Sequence, residues 1–196
     1  MWGAGTQRTT AFVQGFIRCG AQVAAVTLDS KNRAPGTPPV EDLRIVTNYL
    51  GQIPWQFGHV AMCLGLSDPA AFALARARRR LCKERSMNLV FASGAPFSAL
   101  TNAALCARRN NVPLVCDIRD EWSANPFQRT GPWHSFLERR RERSALRDAA
   151  AVSAPYPEVL RSLAGNTQAK EVVIPHGCDN ALVGESRFES RSFSGV

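Results

Sequence analysis

No stretch of this 196-residue chain approaches the ~18 consecutive apolar residues that a membrane-spanning helix requires. Its first residues, Met1 to Thr10, are too polar for a signal peptide. The six cysteines (Cys19, Cys63, Cys82, Cys106, Cys116 and Cys178) include no C-x-x-C pair. The three histidines, His59, His134 and His176, have no ligand spacing with one another or with the cysteines, so no metal site is expected. No Ser-His-Asp or Cys-His arrangement is readable, and no G-x-G-x-x-G fingerprint occurs. These absences lead to the expectation of a cytoplasmic domain whose cysteines stay reduced and buried among apolar neighbours. Acid is also scarce, with 16 Asp and Glu against 24 Lys and Arg, for a net charge of +8.

The length suits one ordinary domain with a core of its own. A hydrophobic content of 45% with 20% charged residues is that of a globular chain. The positive excess is local. Residues 76–85 (RARRRLCKER) carry +5, residues 138–147 (ERRRERSALR) carry +3, and the rest of the chain balances at 13 against 13.

Five short apolar runs stand out: Val23–Leu28, Leu89–Ala92, Val112–Cys116, Ala149–Val152 and Val172–Ile174. They do not alternate with polar residues, which fits strands buried on both faces of a parallel sheet. Helical stretches lie between them, at 8–18 (ending at Gly20), 70–85 (after Ser67-Asp68-Pro69), 97–109, 133–147 (after Gly131-Pro132) and 156–163. This order predicts an α/β fold with a doubly wound, mainly parallel sheet. Residues 29–40 form a Pro- and Gly-rich loop, and 41–66 have no clear period. A helix follows Gly3-Ala4-Gly5 with no strand before it, so the sheet is expected to lack its first strand, leaving edges that invite self-association. Residues 1–180 are expected to form the domain and 181–196 a loose tail.

In open α/β sheets, ligands bind beyond the carboxyl ends of the strands. Three loops fall there. Gly3-Ala4-Gly5-Thr6-Gln7-Arg8 leads into a helix N-terminus, whose free N–H groups favour phosphate. Ser93-Gly94-Ala95-Pro96-Phe97-Ser98 joins a strand to a helix, with glycine permitting close approach. Asp117-Ile118-Arg119-Asp120-Glu121-Trp122 sets three carboxylates and a guanidinium directly after an apolar strand. One salt bridge would leave two acids without a partner, so this cluster reads as a site. Arg76, Arg79, Arg80 and Lys83 share one face of a helix, with Leu74, Ala77 and Leu81 opposite. Such a face suits an anionic membrane surface; nucleic acid is the rival partner, without a recognised motif to support it.

The segments from Leu89 to Ala99, Val112 to Trp122 and Val173 to Asp179 resemble glycosyltransferase family 4, as does the Gly-Ala-Gly-Thr-Gln-Arg opening. The D-x-R-D-x-W and I-P-x-G-x-D elements carry the resemblance, which runs from about Gly3 to Asn180. It implies the Rossmann-like, acceptor-side half of a GT-B enzyme that transfers a sugar with retention from a nucleotide-diphospho-sugar, without a metal or other cofactor. The acceptor class it implies is a glycan or lipid-linked saccharide, which favours a peripheral place on the inner face of the membrane.

The resemblance assigns catalysis to Asp120, Arg119 and Asp117 and a donor-phosphate-facing loop to Gly3, Gly5, Thr6 and Arg8. Ser93, Gly94, Pro96, Trp122, His176 and Gly177 line the cleft. His176 stands where the family usually has asparagine. The Glu-x7-Glu pair of the family's donor-binding half does not occur. The chain is therefore expected to be an acceptor-side fragment or half-enzyme, inactive alone, with a separate donor-domain chain as a candidate partner. The alternative is a non-catalytic basic α/β module binding anionic membrane or nucleic acid.

Overall fold

The computed structural model describes residues 4–28, 43–48, 74–76, 78, 79, 82, 87–94, 96–125, 131–163 and 167–177. Helix α1 (Ala4–Arg18) is closed by Gly20 at φ +81°, a left-handed turn that glycine adopts without a Cβ clash. There the Ala21 N–H donates to the Phe16 carbonyl at 3.0 Å and the Gly20 N–H to that of Ile17 at 2.9 Å, the paired bonds of a Schellman stop. Strands β1 (Val23–Leu28) and β2 (Leu43–Asn48) follow, then β3 (Val90–Gly94), α2 (Ser98–Asn110), β4 (Leu114–Ile118), α3 (Pro132–Leu146), β5 (Ala151–Ala154), α4 (Pro157–Ser162) and β6 (Lys170–Val173). Proline opens α3 and α4, where its missing N–H costs nothing, and Asn111 at φ 52° caps α2.

The fold is Rossmann-like α/β, and every strand pair is parallel. β3-β4-β5-β6 form one four-stranded sheet, and β1-β2 pair separately with Val23 opposite Leu43. Register and alternation sort the larger sheet into two faces. Ala92, Leu114, Cys116, Ile118, Val152 and Ala154 point to one side. There they form the core with Leu100, Ala104 and Ala107 of α2, Ala145 and Leu146 of α3, and Val159 and Leu160 of α4. Phe91, Ser93, Asp117 and Ser153 belong to the other side. Across it lies α1, whose Phe12 and Phe16 rings meet Phe91 at 5.0 and 5.2 Å between centroids.

Several expectations are corrected here. β2 lies inside the stretch read as having no period: Leu43-Arg44-Ile45-Val46-Thr47-Asn48 is too short a run to stand out, and only its pairing with β1 makes it a strand. The helix expected from residue 8 starts at Ala4, so Gly5, Thr6 and Arg8 are helical rather than part of a loop. Cys19 is exposed, whereas Cys106 and Cys116 are buried; these three and Cys82 are free thiols. Of the helix expected at 70–85, residues 74–76, 78, 79 and 82 are helical. Leu74 is buried there, and Arg76 and Arg79 are exposed. Arg80, Lys83, the loop at 29–40, Gly3, Cys63, Cys178 and the tail at 181–196 lie outside the described residues. Among the described residues, no helix is long and apolar enough to cross a membrane.

Candidate functional site

Four strand ends converge on Asp117. In register, Ser93 of β3 and Ser153 of β5 flank Asp117 of β4, so the three side chains form one row across the sheet. Both hydroxyls donate to the carboxylate, Ser93 Oγ at 2.9 Å and Ser153 Oγ at 2.7 Å. Arg8 reaches down from α1 and donates to the same carboxylate from Nε at 3.0 Å and from Nη2 at 2.7 Å. Its Nη1 donates to the carbonyls of Ile174 and Pro175 just past β6, at 2.6 and 3.3 Å. The Arg8 guanidinium also lies 5.1 Å from the Phe12 ring centroid. The two side chains are 5% and 0% exposed, so this ion pair is withdrawn from water. Its desolvation is offset because both partners carry further hydrogen bonds.

The residues after β4 are held by a second set of contacts. Arg119 donates through Nε to the carbonyl of Gly94 at the end of β3. Trp122 is 2% exposed and stacks on Phe97 at 4.8 Å with the ring planes 4° apart, which couples this loop to the one before α2. Its Nε1–H donates to Glu138 Oε2 of α3 at 2.6 Å, and the Ser123 N–H donates to Glu142 Oε2 at 2.8 Å. Glu142 is itself 1% exposed. The arginine-rich stretch of α3 thus turns its two acids inward as anchors. Asp120 sits between these fixed points and is exposed, while Glu121 is half-buried. The result is one accessible carboxylate on a loop whose neighbours on both sides are pinned.

Other expected site residues fall around this end of the sheet. Gly94 is buried where a Cβ would lie 3.2 Å from Leu100 Cδ1 and 3.3 Å from Phe97 Cδ1, so its missing side chain allows the close approach. Pro96 is half-buried at the turn into α2. His176 and Gly177 are exposed, and the His176 ring meets Tyr156 edge-on at 6.0 Å. Trp122, expected to line the cleft, packs in the core. Arg8 is buried against Asp117, within α1 rather than on a phosphate loop. A pocket of about 330 Å³, lined by Ala104, Ala107, Arg108, Asn111, Val112, Leu114, Ala145 and Asp148, lies at the amino end of β4 and contains none of the candidate residues.

Sequence reasoning missed Ser153, Glu138 and Glu142. Ser153 had a readable signal, a lone hydroxyl inside the apolar run of β5. The two glutamates had none, because within ERRRERSALR they look like members of a solvated charge stripe.

The buried thiols shift as their surroundings dictate. Burial, and then the adjacent Asp117 charge, push Cys116 up to about 12, which keeps it a neutral thiol. Cys106 rises to about 12 through burial and through its contact with Cys82. Among the described residues, no group of three or more His, Cys, Asp or Glu could hold a metal ion.

The chain matches no curated protein and no solved structure. A family model described as a glycosyl transferase 4-like domain matches residues 3–177, from just before α1 through the loop that Arg8 ties to Asp117, and the chain belongs to that family.

Proposed function

We propose that this chain is the acceptor-side unit of a retaining glycosyltransferase that uses a nucleotide-diphospho-sugar as donor. Its acceptor would be a glycan or lipid-linked saccharide. The observation that carries this reading is the contrast between Asp117, near the carboxyl end of β4, and Asp120, three residues on in the loop that follows. Asp117 is fully committed to Arg8, Ser93 and Ser153, whereas Asp120 is exposed at the carboxyl end of β4 on a pinned backbone.

A fixed carboxylate in that position can accept a hydrogen bond from an acceptor hydroxyl and stabilise positive charge developing on the transferred sugar. It needs no reorganisation at the moment of reaction, because Trp122, Ser123 and Arg119 already hold the loop. Arg119 orients the loop through the Gly94 carbonyl, and Asp117 acts as its brace. In this reading Ser93, Gly94, Pro96, His176 and Gly177 border the acceptor cleft, and the start of α1 with Gly5 and Thr6 faces the donor diphosphate across it. The exposed Arg76 and Arg79 attract the anionic surface on which a lipid-linked acceptor resides.

The test compares two variants in a protein that joins these residues to a donor-binding unit. Asp120→Asn should lower turnover roughly 10²-fold or more while leaving the thermal midpoint nearly unchanged. The 196-residue chain alone should transfer no sugar, since it lacks the family's Glu-x7-Glu donor pair. Full turnover by Asp120→Asn would remove Asp120 from the chemistry, and sugar transfer by the isolated chain would overturn the acceptor-side assignment.

A further inference from the structure

Helix α3 separates its chemistry by face. Its buried residues, Glu142, Ala145 and Leu146, lie on the core side, and Glu138 and Glu142 spend their carboxylates on Trp122 and Ser123. The opposite face carries Trp133, Phe136, Arg140 and Arg143 at i, i+3, i+7 and i+10, with Arg139 beside them, and all five are exposed. Trp133 is 68% and Phe136 53% exposed, large values for aromatic side chains that gain by leaving water. They stack on each other at 5.9 Å, forming one apolar knob at the amino end of the helix. Among the described residues, Arg139, Arg140 and Arg143 have no carboxylate partner, whereas Arg141, on the flank, pairs with Glu138.

We infer that this outer face of α3 is a membrane-contact surface, specific for bilayers rich in anionic lipid. Two stacked aromatic side chains at one end and unpaired arginines along the rest of the same exposed face let the rings enter the headgroup layer while the guanidinium groups meet lipid phosphates. Charge complementarity favours it, because both acids of the helix face inward and leave arginines as the charged groups on its outer face. Single-stranded nucleic acid fits less well: the two rings cover each other and stand apart from the arginines, rather than interleaving with them as stacking platforms do.

The knob also lies at the end of the sheet where Asp120 is exposed. On the sugar-transfer reading, membrane contact would therefore place a lipid-linked acceptor beside Asp120. The surface itself does not depend on that reading, since vesicle binding requires no donor and no turnover.

Co-sedimentation of the 196-residue chain with phosphatidylcholine vesicles, with or without about 30% phosphatidylglycerol, tests this directly. The chain should pellet with the anionic vesicles only, and high salt should weaken the binding. Trp133→Ala/Phe136→Ala should lower the partition coefficient about tenfold or more, and Arg140→Gln and Arg143→Gln roughly fivefold each. All these positions are solvent-facing, and unchanged circular dichroism would confirm that the variants are folded. Three results would overturn the inference: no pelleting with anionic vesicles, loss of binding only in Arg76→Gln/Arg79→Gln with the α3 variants unaffected, or binding of a single-stranded RNA oligomer without binding to either vesicle.

Discussion

Asp117→Asn is the sharpest probe of the site, because it removes one charge from a buried pair and leaves the shape unchanged. Arg8 keeps the Ile174 and Pro175 carbonyls and the Phe12 ring, so part of its burial remains compensated. The asparagine Oδ1 can still accept from Arg8, while one of Ser93 and Ser153 must face an N–H donor instead of an oxygen. Breaking a buried pair on one side typically costs ~3–5 kcal/mol, and these residual contacts put Asp117→Asn near the lower end. Arg8→Met leaves a 0%-exposed carboxylate with only two hydroxyl partners, and should sit near the upper end. In a chain of this length, ~3–5 kcal/mol lowers the thermal midpoint by about 6–20 °C. Replacing both partners, in Arg8→Met/Asp117→Leu, removes the unpaired charge altogether and should recover much of the loss. Urea unfolding followed by circular dichroism gives all three values on one scale. The reasoning fails if Asp117→Asn shifts the urea midpoint no further than Asp120→Asn does, since the exposed carboxylate contributes no brace.

Two more outcomes follow from packing and burial. Gly94→Ala should cost about 1–3 kcal/mol, because its Cβ would press on Leu100 and Phe97. By contrast, Gly15→Ala, inside α1 with nothing within 4 Å, should gain about 0.5–1 kcal/mol through helix propensity; equal effects of the two would contradict the close-approach argument. Cys116 ionises near 9 in the unfolded chain and only near 12 when folded, so its contribution to stability is complete below pH 9 and is lost as pH rises towards 12. Wild-type stability should therefore decline across that alkaline range, and Cys116→Ala should flatten the decline in urea titrations at successive pH values. An identical slope for the two proteins would show that Cys116 does not stay protonated in the fold.

The sequence by itself determined the α/β class and the order of most elements, because those depend on local signals. Apolar runs without alternation mark β3, β4 and β5 as strands buried on both faces, Gly20 stops α1, and proline opens α3 and α4. The acidic cluster that begins in the last residues of β4 was legible for the same reason, since its residues are adjacent in the chain. The division of labour within it was not. Whether Asp117 or Asp120 is buried depends on which side chain alternation turns towards α1, and on whether Ser93 and Ser153 stand beside it in register. Those facts join residues 8, 93, 117, 153 and 174, and no window of sequence contains them. β2 escaped notice because it becomes a strand only beside β1. The inward turn of Glu138 and Glu142 was hidden because a charge run looks solvated until a helix face is assigned to the core. Local propensity specified the elements, and long-range pairing of buried polar groups decided which residue is brace and which is exposed.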